Sequence, residues 1–204
     1  MTNPEKKHLD PERAQARRDQ VLNAAAICFA RSGFHGASMA EISKAAGMSP
    51  GHIYNYFDGK DSIIAAFVER DVERIAEKLL RMGQQEDVVQ AMLDNVESGV
   101  TENLDPKIWS IPLEISAEAA RNPKIAALLQ DADRRSRQHL RENLVKARLQ
   151  RGIQTSDAEL DGRVEAIIAL FEGVSLRSLK HPDLDKKSLI AACHLALKPL
   201  LFDE

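Results

Sequence analysis

Two short amphipathic helical patterns set around a single glycine constrain this chain more than any other feature; they lie in SMAEISKAAGMSPGHIYNYFDGK, from Ser38 to Lys60. Ser38 is a favourable helix N-cap, and Glu41 follows three residues later, the spacing of a capping box. Ile42, Ala45 and Ala46 then recur on one helical face, and Gly47 supplies the stop. Met48 offers an apolar plug for the turn. Ser49 can cap again, and Pro50 occupies the first helical position, where a missing N–H costs nothing. Four residues apart, Ile53 and Phe57 point inward and leave Gly51, His52, Tyr54, Asn55 and Tyr56 outward or flanking. The pattern predicts a helix-turn-helix whose second helix runs from Pro50 to Tyr56.

That outward set is small, polar and aromatic, where a solvated helix more often carries Lys and Glu. Gly51 permits close approach to a duplex, and His52, Asn55 and the tyrosine hydroxyls can donate to phosphates or base edges. At the start of the next helix, Lys60 adds a cation near free N–H groups, a pairing suited to a phosphate oxygen. The alternative is a helical corner with no DNA role, because glycine-turned helix pairs recur in many settings.

The residues around the corner narrow the choice. Arg18, Val21, Leu22, Ala25, Phe29, Gly33 and Phe34 precede Ser38. After it come Ile42, Ser43, Ala46, Gly47, Met48, Ser49, Gly51, Ile53, Tyr54, Tyr56, Phe57 and Lys60. This array, over about residues 13 to 64, resembles the N-terminal domain of TetR-family transcriptional regulators. It departs from the family at Ser43, where Ala is usual, and at Tyr56, where His is common. The resemblance implies that Ser49 and Pro50 to Tyr56 read or position on DNA, while Arg18, Ser38 and Lys60 grip phosphate.

At 204 residues the chain can build one sizeable helical body or two small domains. Neither long alternating apolar runs nor Asn-Gly hairpins appear, which predicts an all-α fold: an N-terminal three-helix domain over residues 1–60 and a larger helical domain over 61–204. Residues 1–60 hold 8 Lys/Arg against 6 Asp/Glu, leaving 20 against 25 in the remainder. The front is mildly basic and the back acidic, so a local DNA-binding surface fits better than a general nucleic-acid coat. Cys28 and Cys193 are the only cysteines, each in an apolar helical pattern, as expected of buried thiols in a reducing cytoplasm. The sequence shows no signal peptide and no apolar run long enough to cross a membrane.

Residues 1–12 read as a polar arm, with Lys6 and Lys7 within it. A first helix from about Pro11 to Arg31 carries Arg17 and Arg18 near its start, where they oppose the helix dipole. After the corner, a long helix from Asp61 to Gly83 presents Ile64, Phe67, Val68, Ile75, Leu79 and Leu80. Helices over Glu86–Asn103 and Lys107–Arg121 follow, the second interrupted by Pro112. Asn122-Pro123 opens a helix reaching Arg151, ~43 Å long at ~1.5 Å per residue. Ser156 to Glu159 forms a second capping box, and a last helix covers Lys186 to Leu200. The two long helices make a hairpin whose apolar face, with Leu140, Leu144, Ala147, Val164, Ile168 and Phe171, is expected to dimerise as a four-helix bundle, the alternative being a purely intramolecular core. EISAEAARNPKIAALL and this hairpin also resemble the regulatory domains of TetR-family members.

No G-x-S-x-G, Walker loop, HExxH or dinucleotide fingerprint is present, and the six His residues lack metal-ligand spacing, so no enzyme, metal or cofactor is expected. Glu114 and Glu118, four residues apart, read as a solvated or salt-bridged face near Arg121 rather than as an acid/base pair. The family resemblance implies a small-molecule effector between helices of the second domain. Apolar wall candidates are Met92, Val96, Trp109, Ile111 and Phe171, with Asn95, Ser116 and His139 as polar anchors, the alternative for each being plain core packing. Together these readings predict a cytoplasmic, homodimeric regulator, a repressor that binds a palindromic operator on double-stranded DNA and is released by its effector. The rival is a helical protein–protein interaction module.

Overall fold

The computed structural model describes residues 11–202, which form ten helices and no strand. They are α1 (Pro11–Gly36), α2 (Met39–Ala45), α3 (Pro50–Ile53), α4 (Lys60–Gly83), α5 (Val88–Asp94), α6 (Val96–Leu104), α7 (Pro106–Ala119), α8 (Pro123–Gln150), α9 (Asp157–Lys180) and α10 (Lys186–Phe202). Of the expected polar arm, Lys6, Lys7 and the other residues before Pro11 lie outside the described residues, while Pro11 and Glu12 open α1.

The N-terminal helices follow their local signals closely. Ser38 Oγ accepts from Glu41 N at 3.2 Å while Glu41 Oε2 accepts from Ser38 N at 2.9 Å, completing the capping box. Those bonds from Ser38 hold the Glu41 carboxyl below the usual carboxylate range. Gly47 turns the chain with φ +63°, a left-handed conformation that suits glycine. Ile42, Ala46, Met48, Ile53 and Phe57 close over Val21, Leu22, Ala25 and Phe29 of α1, all buried. Each large side chain so buried contributes roughly 1.5–3 kcal/mol relative to exposure.

Several expectations need correction. Ala45 faces out, and its inward place is taken by Ser43, whose buried Oγ donates to Met48 O at 2.6 Å, so the hydroxyl is paired inside the turn. Regular helix in α3 ends at Ile53. Asn55 N and Tyr56 N bond three residues back, to His52 O and Ile53 O, which tightens the chain before Tyr56. The first helix runs beyond Arg31 to Gly36 but breaks at Gly33 (φ +66°), delivering Phe34 into the core.

Helix α4 leaves the corner and crosses the molecule. Its buried stripe is Ile64, Phe67, Val68 and Val72, ending at Met82; Leu80 falls off that line and is half exposed. The expected helix over Glu86–Asn103 divides at Asn95, whose side chain turns back to donate to Ala91 O at 2.9 Å. Helix α7 continues through Pro112 as one element. The long α8 starts on the Asn122 cap and ends at Gln150; α9 starts on Ser156, which accepts from Glu159 N.

Two apolar clusters result. One joins α1–α3 and the first half of α4 to Ile111 and Ile115 of α7 and to Ile125 and Ala132 of α8. The other gathers α5, α6, α9, α10 and the second half of α8. The first cluster therefore reaches well past residue 60 in sequence.

Candidate functional site

On the outer side of the corner, Ser38, Ser49, Pro50, Gly51, Tyr54 and Asn55 are exposed, and His52 and Tyr56 are half-buried beside them. The His52 and Tyr56 rings pack 5.4 Å apart, with Tyr56 Oη 3.4 Å from His52 Nε2. A Cβ built on Gly51 would meet nothing within 4 Å, so packing inside the chain does not require glycine there. Ser49 Oγ is engaged as a cap, accepting from His52 N at 3.3 Å.

Two cations expected on this face are turned inward. Lys60 Nζ donates to Phe34 O at 2.6 Å and Ala37 O at 2.8 Å, and lies 4.6 Å from the centre of the Phe34 ring. It ties down the carbonyls where α1 ends. Arg18 Nη1 donates to Tyr56 O at 2.9 Å with its guanidinium over Phe57, and Gln20 Nε2 donates to Ala46 O at 2.6 Å. Thus α1 clasps the chain ends that follow α2 and α3. Gln20 carried no signal in the sequence, since a glutamine on a half-polar helix face has no preferred partner.

A second feature is a cavity of about 560 Å³ lined by α4 to α10. Met92, Asn95, Trp109, Ser116 and Phe171, all effector-site candidates, line it. The wall candidates Val96 and Ile111 and the anchor candidate His139 do not. Val96 is fully buried in the second cluster, and Ile111 packs in the first cluster and borders an adjoining cavity of about 1020 Å³. His139 lines neither cavity; its Nδ1 lies 3.7 Å from Glu142. Periodicity placed Val96 and Ile111 on inward faces, but an inward face meets core as readily as cavity. Sequence reasoning missed the charged part of the wall, Asp71, Arg74, Lys78, Glu102 and Glu172, because these residues alternate with apolar ones on amphipathic helices and read as solvated.

Comparison with known proteins decides the family. Residues 21–67 match the family model for bacterial regulatory proteins of the tetR family, and residues 85–201 match that for the C-terminal part of BetI-type transcriptional repressors. The chain belongs to the TetR family. It is 35% identical over 118 residues to the HTH-type transcriptional regulator UidR of Escherichia coli K12, a match spanning 58% of this chain and 59% of UidR. The HTH-type transcriptional repressor AcnR of Corynebacterium glutamicum is 29% identical over 158 residues, 77% of each chain. The solved structure of Salmonella enterica GusR superposes with a TM-score of 0.76 at 26% identity, covering 96% of this chain and 99% of that one.

As a TetR-family chain, it was expected to dimerise through the α8–α9 hairpin, and here the named residues need correction. Leu140, Leu144, Ala147 and Val164 are buried in the chain's own second cluster, while Ile168 and Phe171 are partly buried against it and face the cavity. A hairpin has two apolar faces, and the larger side chains went to the interior. What α9 leaves exposed is a strip of small residues and leucine: Gly162, Ala166, Ala169 and Leu176 at helical spacing, with Leu179 nearby. That repeat of small side chains was the signal available in the sequence.

Proposed function

We propose that this TetR-family protein is a homodimeric DNA-binding transcriptional repressor acting in the cytoplasm. Its corner would enter the major groove of a palindromic operator, and a small-molecule effector in the α4–α10 cavity would release it. The observation that carries the DNA reading is the face of exposed Gly51, Tyr54 and Asn55 with half-buried His52 beside them, where glycine answers no need of internal packing. With α3 set by its Ser49 cap and clasped from behind by Arg18, these side chains are presented on a rigid base, as base and phosphate contacts require. Two such faces in a dimer would sit about 34–36 Å apart, one turn of duplex.

Residues 1–60 would form the DNA-binding domain and 61–204 the effector and dimer domain, with α4 common to both. Effector binding would act by favouring one of two arrangements of the heads, through differential affinity for the two states. The exposed α9 strip would be the centre of the dimer, where small side chains let helices approach closely.

Selection of bound sequences from random duplex DNA tests this reading. Enrichment of one palindrome, with affinity falling steeply as salt rises because phosphate contacts release counterions, is the expected outcome. Failure to enrich any sequence across salt concentrations would favour a helical protein-interaction module instead.

A further inference from the structure

The charged lining of the cavity divides into a neutralised part and an unneutralised one. Arg74 Nη2 lies 2.7 Å from Asp71 Oδ1, Arg74 Nη1 2.9 Å from Glu102 Oε2, and Lys78 Nζ 2.8 Å from Glu102 Oε1. Ser98 Oγ adds a bond to Glu102 at 2.7 Å. Two cations and two carboxylates thereby cancel one another on the α4–α6 side.

Glu172 on α9 stands across from them. It borders both cavities, and among the described residues no hydrogen bond or ion pair reaches its carboxylate. The charged groups that act on it are Asp133 of α8 and Glu165 of α9, both carboxylates, and Glu165 is already paired with Arg137. Partial burial and these two like charges push the Glu172 carboxyl above the usual range. The remaining wall of the 560 Å³ cavity is chiefly apolar and includes the rings of Trp109 and Phe171, whereas Arg70, Lys107, Arg134 and Arg137 line the adjoining one.

A carboxylate facing an apolar cavity, among like charges and without a counter-ion, favours a positively charged guest over a neutral or negative one. Aromatic faces add to that preference, since their negative quadrupoles attract an ammonium group. A bare metal ion is a poor occupant, because the described residues contain no cluster of three or more His, Cys, Asp or Glu able to hold one. We propose that the effector is an organic cation with an apolar body, held by Glu172 as counter-ion with Trp109 and Phe171 as aromatic walls. The assignment rests on reading the cavity as the effector site.

Trp109 is the single tryptophan and lines the cavity, so its fluorescence reports occupancy in the full chain. Decyltrimethylammonium, decanol and decanoate, each below its micelle concentration, are titrated into the wild-type protein, Glu172→Gln and Glu172→Asp, with folding of both variants checked by thermal unfolding. The ammonium should bind the wild type most tightly, bind Glu172→Gln about tenfold or more weakly, and keep its preference in Glu172→Asp, while decanol is indifferent to either change. If the three probes bind alike, or if Glu172→Gln binds the ammonium unchanged, the counter-ion assignment is wrong and the cavity reading survives. If none of the three perturbs Trp109, the cavity reading and the assignment fall together.

Discussion

His35 Nε2, at the end of α1, donates to Glu118 Oε2 on α7 across 2.8 Å, joining the helix that clasps the corner to a helix that walls the cavity. Glu118 is almost wholly buried and also accepts from Arg121 at 2.9 Å and Asn122 at 3.2 Å. One turn earlier, Glu114 Oε2 accepts from Phe34 N at 3.4 Å. One side of α7 therefore grips the turn after Gly33, while Trp109 and Ser116 border the cavity. A shift of α7 in response to a guest would bear directly on α1, in parallel with any tilt of α4.

Replacing Glu118 with Ala should remove this link without burying a bare cation, because His35 and Arg121 are both more than half exposed. The expected loss is about 1–3 kcal/mol of stability, on the scale for a buried hydrogen-bonding group. A thermal unfolding midpoint unchanged within error would show that the contact adds nothing to the fold.

Acid should weaken the same link. Burial alone would raise the Glu118 carboxyl, but hydrogen bonds from Arg121 and Asn122 and the charge of His35 outweigh it and hold it below the ordinary 4.5. A carboxyl depressed in the folded state contributes stability that is full above its unfolded value and is lost as pH falls through the folded one. The stability gap between wild type and Glu118→Gln should therefore narrow as pH falls below about 4.5, measured by denaturant titration at several pH values.

Tyr54 and Lys60 should part company under mutation. Tyr54 is exposed and its side chain makes no hydrogen bond among the described residues, so Tyr54→Ala should weaken DNA binding while changing stability by less than about 0.5 kcal/mol. Lys60 ties the end of α1, so Lys60→Ala should cost about 1.5–3 kcal/mol in the free protein, as for a charged hydrogen-bond donor, before any effect on DNA. Chemical denaturation of both variants beside a duplex-binding titration separates the two roles; a Lys60→Ala protein as stable as wild type would restore the phosphate reading alone.

The exposed α9 strip makes a prediction for assembly. Ala169→Arg places a charge on a surface with no internal partner, so the monomer fold should persist. Sedimentation should show the wild type as a dimer and the variant as a monomer. A dimeric Ala169→Arg protein would move the interface elsewhere.

Much of this was legible beforehand because it depends on neighbours in sequence. The caps at Ser38, Ser49, Asn122 and Ser156 and the turn at Gly47 are short-range devices, each closed by residues two to four positions away. The exposed set around Gly51 follows from the same periodicity, once Ile53 and Phe57 are known to be buried. The sequence therefore determined the all-α class, the corner and the outline of the two long helices.

Tertiary structure decided which partner each inward or charged side chain found. Periodicity marks a face as apolar without saying whether it meets core, cavity or a second subunit, and so Leu144 and Val164 proved internal, Val96 solid core, and Phe171 a cavity wall. Charged residues with long stems are less determined still. Arg18 reaches a carbonyl 38 positions away and Lys60 one 26 positions away, whereas Glu172 borders the cavity with no hydrogen bond or ion pair to its carboxylate among the described residues. Such long-range pairings depend on how helices cross, which local propensity does not encode.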